Sequence, residues 1–351
     1  MTLPASGQLS FSQVNTELTL SSTATISLNT AAVRTLAAVL SGTISFSNLH
    51  GKSYDITRGI FGGGGPGDYT NVIDYITVAT NGNGTDFGYL SMSIIRLSAC
   101  SSSTRGIFLG GYYYDGDPVT SCKNHIDYIT IATTGNASDF GDLTVGKHMA
   151  SACSSSTRGV SGGGQQYGSY WNVIDYITIA TTGNASDFGD LTVIRLGLAA
   201  CSSSTRGVFA GGSNGPVYDV IDYITIATAS NASNFGTLTV VKKNHGACSS
   251  PTRGIFGGGS ISSYQNNVDY ITIATTGNAS DFGDLTANID LLAACSSPTK
   301  AVFGGGRTDV TYTSVTQQVT IATTGNASNF GNLTAVKQEL AALSNGHGGL
   351  S

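Results

Sequence analysis

Charge is scarce in this chain. Asp, Glu, Lys and Arg make up 11% of its 351 residues, against about 25% in an ordinary soluble domain. Glu17 and Glu339 are the only glutamates among the 21 acidic residues. Residues that favour helices are therefore few, and Thr, Ser, Gly and β-branched side chains replace them. That composition excludes an α-protein or a coiled coil. The 16 basic residues form no cluster and the net charge is −5, which makes nucleic acid an unsuitable partner. No apolar run is long enough for a transmembrane helix. The opening Met-Thr-Leu-Pro-Ala-Ser-Gly lacks the basic and apolar regions of a secretory signal, so synthesis in a cytoplasm is expected. Cys-x-x-Cys is absent, which removes the common zinc signature. The run 62–67 is glycine-rich but lacks the Lys-Ser/Thr and helix of a phosphate loop.

Hydrophobic residues nevertheless reach 40%, so the chain is expected to fold. Internal repetition shows how. Six copies follow one another from about residue 56. Each reads Thr-Arg-Gly-Ile/Val-Phe-x-Gly-Gly, a variable stretch, Val-Ile-Asp-Tyr-Ile-Thr-Ile-Ala-Thr-Thr-Gly-Asn-Ala-Ser-Asp-Phe-Gly-Asp-Leu-Thr, and Ala-Cys-Ser-Ser. The period is 47 or 48 residues, with one step of 53. Each copy holds four strand-like segments, a to d, bounded by Gly, Ser, Asn or Pro. The spacing predicts one propeller blade per repeat, near 56–103, 104–156, 157–204, 205–251, 252–298 and 299–351. Copy one starts at segment b. Leu340-Ala341-Ala342-Leu343-Ser344 is a segment a with no b after it. This C-terminal strand is expected to complete the first blade and close a six-bladed ring.

The Gly-Gly of segment b, the tyrosine of segment c and an aromatic 12 residues later resemble the kelch repeat, with Phe for the usual Trp. The longer Ile-Asp-Tyr-Ile-Thr-Ile-Ala-Thr-Thr-Gly-Asn-Ala-Ser-Asp-Phe-Gly-Asp-Leu-Thr is similar to kelch-type repeats in virion proteins of tailed phages, particularly cyanophages. The resemblance implies an all-β, kelch-like propeller on a virus particle. Residues 1–55 form a separate, small mixed α/β segment. Three units, 9–12, 26–29 and 44–47, alternate apolar and polar residues and end in the N-cap residues Ser12, Asn29 and Ser47. The clearest helix is expected after Asn29. Leu3-Pro4-Ala5-Ser6-Gly7-Gln8-Leu9-Ser10-Phe11-Ser12-Gln13-Val14-Asn15-Thr16-Glu17-Leu18 resembles N-terminal segments of phage tail and fibre proteins, implying attachment to other virion proteins. A cap on the propeller is the alternative.

All length variation between copies lies between segments b and c. Antiparallel order sends the b–c and d–a connections to one face and the nearly constant a–b and c–d connections to the other. One face is thus repeated and the other diversified. The b–c loops carry Tyr69, Tyr112, Tyr113, Tyr114, Tyr167, Tyr170, Trp171, Tyr218, Tyr264 and Tyr312 amid Gly, Ser, Asn and Asp. Rigid aromatics among small polar residues suit adaptable recognition and the faces of sugar rings. The alternative is that these aromatics cover the loop bases.

Each copy also carries an Arg and an Asp: Arg58 and Asp74, Arg105 and Asp127, Arg158 and Asp175, Arg206 and Asp222, Arg253 and Asp269, with Lys300 and Gln317 in the sixth. They are read as structural pairs. The recurrent Cys100, Cys153, Cys201, Cys248 and Cys295 are read as small buried hydrophobes, and Cys122 as a loop thiol. The Asn-Ala-Ser sequons are read as turns. No metal or cofactor is expected. The expectation is a non-enzymatic virion protein of tail-fibre type, homo-oligomeric on the particle, binding a host-surface glycan such as lipopolysaccharide without entering the membrane. A structural tail or capsid decoration protein is the alternative. A glycan-processing enzyme is disfavoured because no acid pair recurs on the variable face; the loop acids worth testing for it are Asp115, Asp117 and Asp219.

Overall fold

A computed structural model describes residues 57–350, apart from 67–68, 115 and 117–120, and in the N-terminal part residues 3, 11–18, 20 and 30–37. The chain divides into two units, Met1–Ile56 and Thr57–Ser351. In the first, helix α1 spans Phe11–Glu17 and helix α2 spans Ala31–Ala37. Val14 and Leu18, and likewise Val33 and Leu36, are buried at helical spacing. Two expectations are corrected. Phe11 and Ser12 lie inside α1 and not in an extended piece before it. The N-cap of α2 is Thr30, whose Oγ1 accepts from the Val33 amide at 3.4 Å, and not Asn29. The units at 26–29 and 44–47 lie outside the described residues.

The second unit is a six-bladed β-propeller of four-stranded antiparallel sheets. Blade 1 joins Ala341–Ser344 as its inner strand a to Arg58–Gly62, Val72–Thr77 and Thr85–Tyr89 as b, c and d. Ala342 pairs with Phe61 and Leu343 with Ile60, so the last strand closes the ring as the repeat count implied. Blades 2 to 6 span residues 98–142, 151–190, 199–237, 246–284 and 293–332. Strand c reads intermediate-buried-buried-intermediate-buried-exposed in most blades, because both of its faces meet a neighbouring sheet.

Around the axis, one serine from each a strand bonds to the preceding blade. Ser101 Oγ donates to Ser344 O at 2.7 Å, Ser154 to Ser101 at 2.7 Å, and Ser202 to Ser154 at 2.8 Å. Ser249 donates to Ser202 at 2.7 Å, Ser296 to Ser249 at 2.8 Å, and Ser344 to Ser296 at 2.5 Å. The circle is complete. The buried cysteines point the other way, into the next blade. A Cβ added at Gly59 would lie 2.4 Å from Cys295 Sγ, and one at Gly254 would lie 2.6 Å from Cys201 Sγ. Cys100, Cys153, Cys201 and Cys295 therefore each occupy the space that a glycine of the next blade leaves open. Burial raises the thiols of Cys100 and Cys248 to about 12, so they stay neutral. Cys122 is no loop thiol: it begins strand c of blade 2 and is buried.

The expected Arg–Asp pairs do not form. Arg58 stands opposite Thr77 across strands b and c, and Asp74, three residues back, projects from the other face of the strand. The arginines instead cap the next blade. Arg58 Nη1 donates to Ile131 O at 2.9 Å, Arg105 to Ile179 O at 2.8 Å, and Arg158 to Ile226 O at 3.0 Å. Arg206 and Arg253 reach Ile273 O and Ile321 O at 2.8 and 2.9 Å, and Lys300 reaches Ala79 O at 3.2 Å. Each guanidinium also lies 4.4–4.9 Å from a strand-c tyrosine ring.

The aspartates hold the d–a crossover arriving from the previous blade. Asp222 accepts from Thr192 Oγ1 at 2.6 Å and its amide at 3.1 Å, and meets Arg195 at 2.9 Å. Asp175 meets Lys147, Asp269 meets Lys242 and Asp74 meets Lys337, at 2.8, 2.8 and 2.9 Å. Burial pulls these lysines below the ordinary lysine value while the facing carboxylate opposes that shift. The sequons make a third inter-blade contact. Asn184 Oδ1, for example, accepts from the Asp142 amide at 3.1 Å, and Asn83 closes that series by accepting from Asn332 at 3.1 Å.

Candidate binding face

The b–c loops and the d–a crossovers share one face because all pairing within a blade is antiparallel. Nine residues after each outer-strand phenylalanine lies a residue with left-handed backbone: Arg96, Met149, Gly197, Asn244, Leu291 and Glu339, with φ between 55° and 65°. Five of the six have a side chain, and each costs about 1–3 kcal/mol in this conformation. A closed circle of backbone bonds enforces it. The Arg96 amide donates to Glu339 O at 2.7 Å, Met149 to Arg96 at 2.9 Å, Gly197 to Met149 at 2.8 Å, Asn244 to Gly197 at 2.7 Å, Leu291 to Asn244 at 2.9 Å, and Glu339 to Leu291 at 2.9 Å.

One residue earlier, each crossover pairs with the b–c loop beside it. Ile95 pairs with Tyr112, His148 with Gln165, Leu196 with Ser213, Lys243 with Ser260 and Asp290 with Arg307; Gly65 donates to Gln338 O at 3.1 Å. The backbone is therefore the same six times and the side chains differ every time. This explains why the d–a stretches keep their length while varying in sequence.

Tyr69, Tyr112 and Tyr113 come together from two loops. Tyr69 meets Tyr113 edge-on at 5.2 Å and Tyr112 at 6.4 Å. The Arg96 guanidinium lies 5.8 Å from the Tyr112 ring, Lys123 Nζ lies 5.7 Å from Tyr113, and His148 packs edge-on against Tyr112 at 5.3 Å. Burial lowers His148 to about 4, so it is neutral at physiological pH. Tyr114 beside them is 53% exposed. Tyr167 and Tyr170 are exposed on the hairpin Gln165–Gln166/Ser169–Tyr170, with Trp171 half-buried after it. Tyr218 and Tyr312 bond within their own loops, and Tyr264 also meets the loop of the next blade. The Tyr218 hydroxyl donates to Asn214 Oδ1 at 2.6 Å. Arg307 lies 5.0 Å from Tyr264, pairs with Asp290 at 3.4 Å, and bridges to Tyr312 through its backbone. Those three tyrosines match the alternative reading, in which aromatics cover loop bases.

Blade 2 departs from the crossover pattern. Ile94 replaces the basic residue, and His125 Nε2 lies 2.9 Å from Asp127 Oδ1 and 2.9 Å from Ser91 Oγ. Asp127 raises the His125 pKa. Ser, His and Asp are the residue types of a hydrolytic triad, but here one ring nitrogen meets both partners. Ser91 Oγ and its amide donate to Asp127 Oδ2 at 2.8 and 3.0 Å, so the hydroxyl anchors the crossover as Thr192 does. Gly211-Gly212-Ser213-Asn214-Gly215 has the spacing of a nucleophile elbow. No helix follows it, and Ser213 is the loop residue paired with Leu196. Of the loop acids, Asp219 is half-buried, while Asp115 and Asp117 lie outside the described residues. Among the described residues, no three His, Cys, Asp or Glu side chains are placed to hold a metal.

No protein-family model and no curated protein sequence matches the chain.

Proposed function

We propose that this is a non-enzymatic virion protein of tail-fibre type whose propeller binds a host-surface glycan through the diversified face. One observation carries the binding role: an invariant, strained backbone presents different side chains at every equivalent position of that face. The tyrosine group around Tyr112 supplies flat apolar surface, and Arg96 and Lys123 supply polar edges. The virion role rests on the repeat and N-terminal resemblances. It gives residues 1–55 the attachment to other virion proteins. Several copies on one particle would convert weak single sites into firm adhesion.

Fluorescently labelled full-length protein added to a panel of cyanobacterial strains tests this reading. A variant with Tyr113→Ser, Tyr114→Ser, Tyr170→Ser and Trp171→Ser is the control. Strain-selective binding that the variant loses is expected. A folded protein that binds no strain would favour structural decoration of the tail or capsid.

A further inference from the structure

The six left-handed residues surround an axial cavity of about 120 Å³. Its walls are set by one alanine from each a strand: Ala99, Ala152, Ala200, Ala247, Ala294 and Ala342. Below this belt lies a second space of about 50 Å³, reaching the serine circle and His347. The far end is stoppered by the residues after the closing strand. Gly348 and Gly349 are buried, and His347 Nε2 lies 3.1 Å from Ser101 O. A Cβ at Gly349 would lie 1.8 Å from Ser154 O, so the stopper packs directly on the a strands. Among the described residues this end is buried: all six serines of the circle are 2% exposed or less.

Two groups at its rim make it polar. Arg96 Nε donates to Glu339 Oε1 at 2.9 Å, with Arg96 33% exposed and Glu339 9%. The pair is neutral overall and offers donors and an acceptor side by side. Arg96 also touches Tyr112, the centre of the tyrosine group. The cavity and the aromatic surface are thus one continuous site joined at Arg96.

We infer that the cavity takes the outer, non-reducing terminal residue of a neutral glycan chain, while the Tyr69–Tyr112–Tyr113 group stacks on the residues behind it. This rests on the glycan-binding reading and makes it specific. A cavity buried at its far end admits a chain end and rejects a chain interior. Neighbouring sugar hydroxyls both donate and accept, which matches the Arg96–Glu339 pair. The alanine belt gives the ring's C–H faces apolar contact. A carboxylated terminal residue would meet Glu339 and is disfavoured.

Titration calorimetry of the full-length protein tests the assignment with maltohexaose, cellohexaose and chitohexaose. Each is offered free and with a benzylidene acetal blocking its non-reducing end. At least one free chain is expected to bind, and blocking should weaken it about tenfold or more, which is about 1.4 kcal/mol. Ala99→Met with Ala247→Met fills the cavity and should weaken binding similarly at unchanged melting temperature. Glu339→Gln, which preserves shape, should also weaken it. Equal binding of blocked chains, full binding by the filled variant, or no binding of any free hexasaccharide would overturn the assignment. In each case the strain-binding experiment still judges the broader reading separately.

Discussion

Blades 4 and 6 anchor the same crossover with opposite chemistry. In blade 4, Asp222 takes two bonds from Thr192, and a fully buried Arg195 balances its charge. In blade 6, Gln317 Oε1 takes the same two bonds from Thr286, at 2.7 and 2.9 Å, and Ile289 fills the place of the arginine. The crossover therefore needs an acceptor and does not need a charge. Where the acceptor is a carboxylate, the cation keeps it from being a lone buried ion. Blade 2 is intermediate, with a carboxylate but a titratable histidine beside it.

The largest effect should come from breaking one side of a charged clip. Asp222→Ala strands the Arg195 charge in the interior and should cost about 3–5 kcal/mol in urea unfolding. Copying blade 6 into blade 4, with Asp222→Gln and Arg195→Ile together, should recover most of that loss. If the double variant is as unstable as Asp222→Ala, the ion pair itself is required.

Acid should act more gradually. Burial lowers the pKa of His148 and His347 to about 4 and that of His245 well below the ordinary histidine value. These rings resist protonation in the fold and accept it when unfolded, so stability should fall as pH drops from about 6.5 towards 4. Both nitrogens of His245 are buried without a partner in a position where four other copies have leucine. His245→Leu should raise the melting temperature and flatten its acid slope; an unchanged slope would exclude His245 as a cause.

Blade 2 should behave in the opposite sense. The raised pKa of His125 gives stability that is full below about 6.5 and lost as pH rises through the folded value. Hydrogen exchange at Ser91 should lose protection over that rise while Thr192 in blade 4 does not. Equal behaviour of the two amides would remove the distinction between the blades. Smaller still, Ser249→Ala should cost about 1 kcal/mol by opening the serine circle. Tyr113→Ser should shift stability by no more than about 0.5 kcal/mol, because Tyr113 is well exposed.

Repeat number, closure by Leu343 and the division into two faces were legible because each depends on spacing. The Arg–Asp pairing misled because both residues recur, yet the register places them on opposite faces of the sheet. Their true partners, such as Lys147 and Arg195, sat in stretches that read only as variable. The signal was there in the internal copies: where the base becomes Ile289 the aspartate becomes Gln317, and where it becomes Ile94 a histidine joins Asp127. The circle of six left-handed residues was not legible. Arg, Met, Leu and Glu seldom adopt left-handed backbone, and only Gly197 and Asn244 are residue types that hint at it.

Ring closure has a bearing on how the protein is made. The first blade takes three strands from residues 58–89 and its inner strand from residues 341–344. On the ribosome, the earliest blade must wait, its b strand unpaired on one side, until almost the whole propeller has been synthesised. A chain that lacks Ala341–Ser344 leaves the b strand of the first blade without its inner partner, so ring closure waits for the last strand.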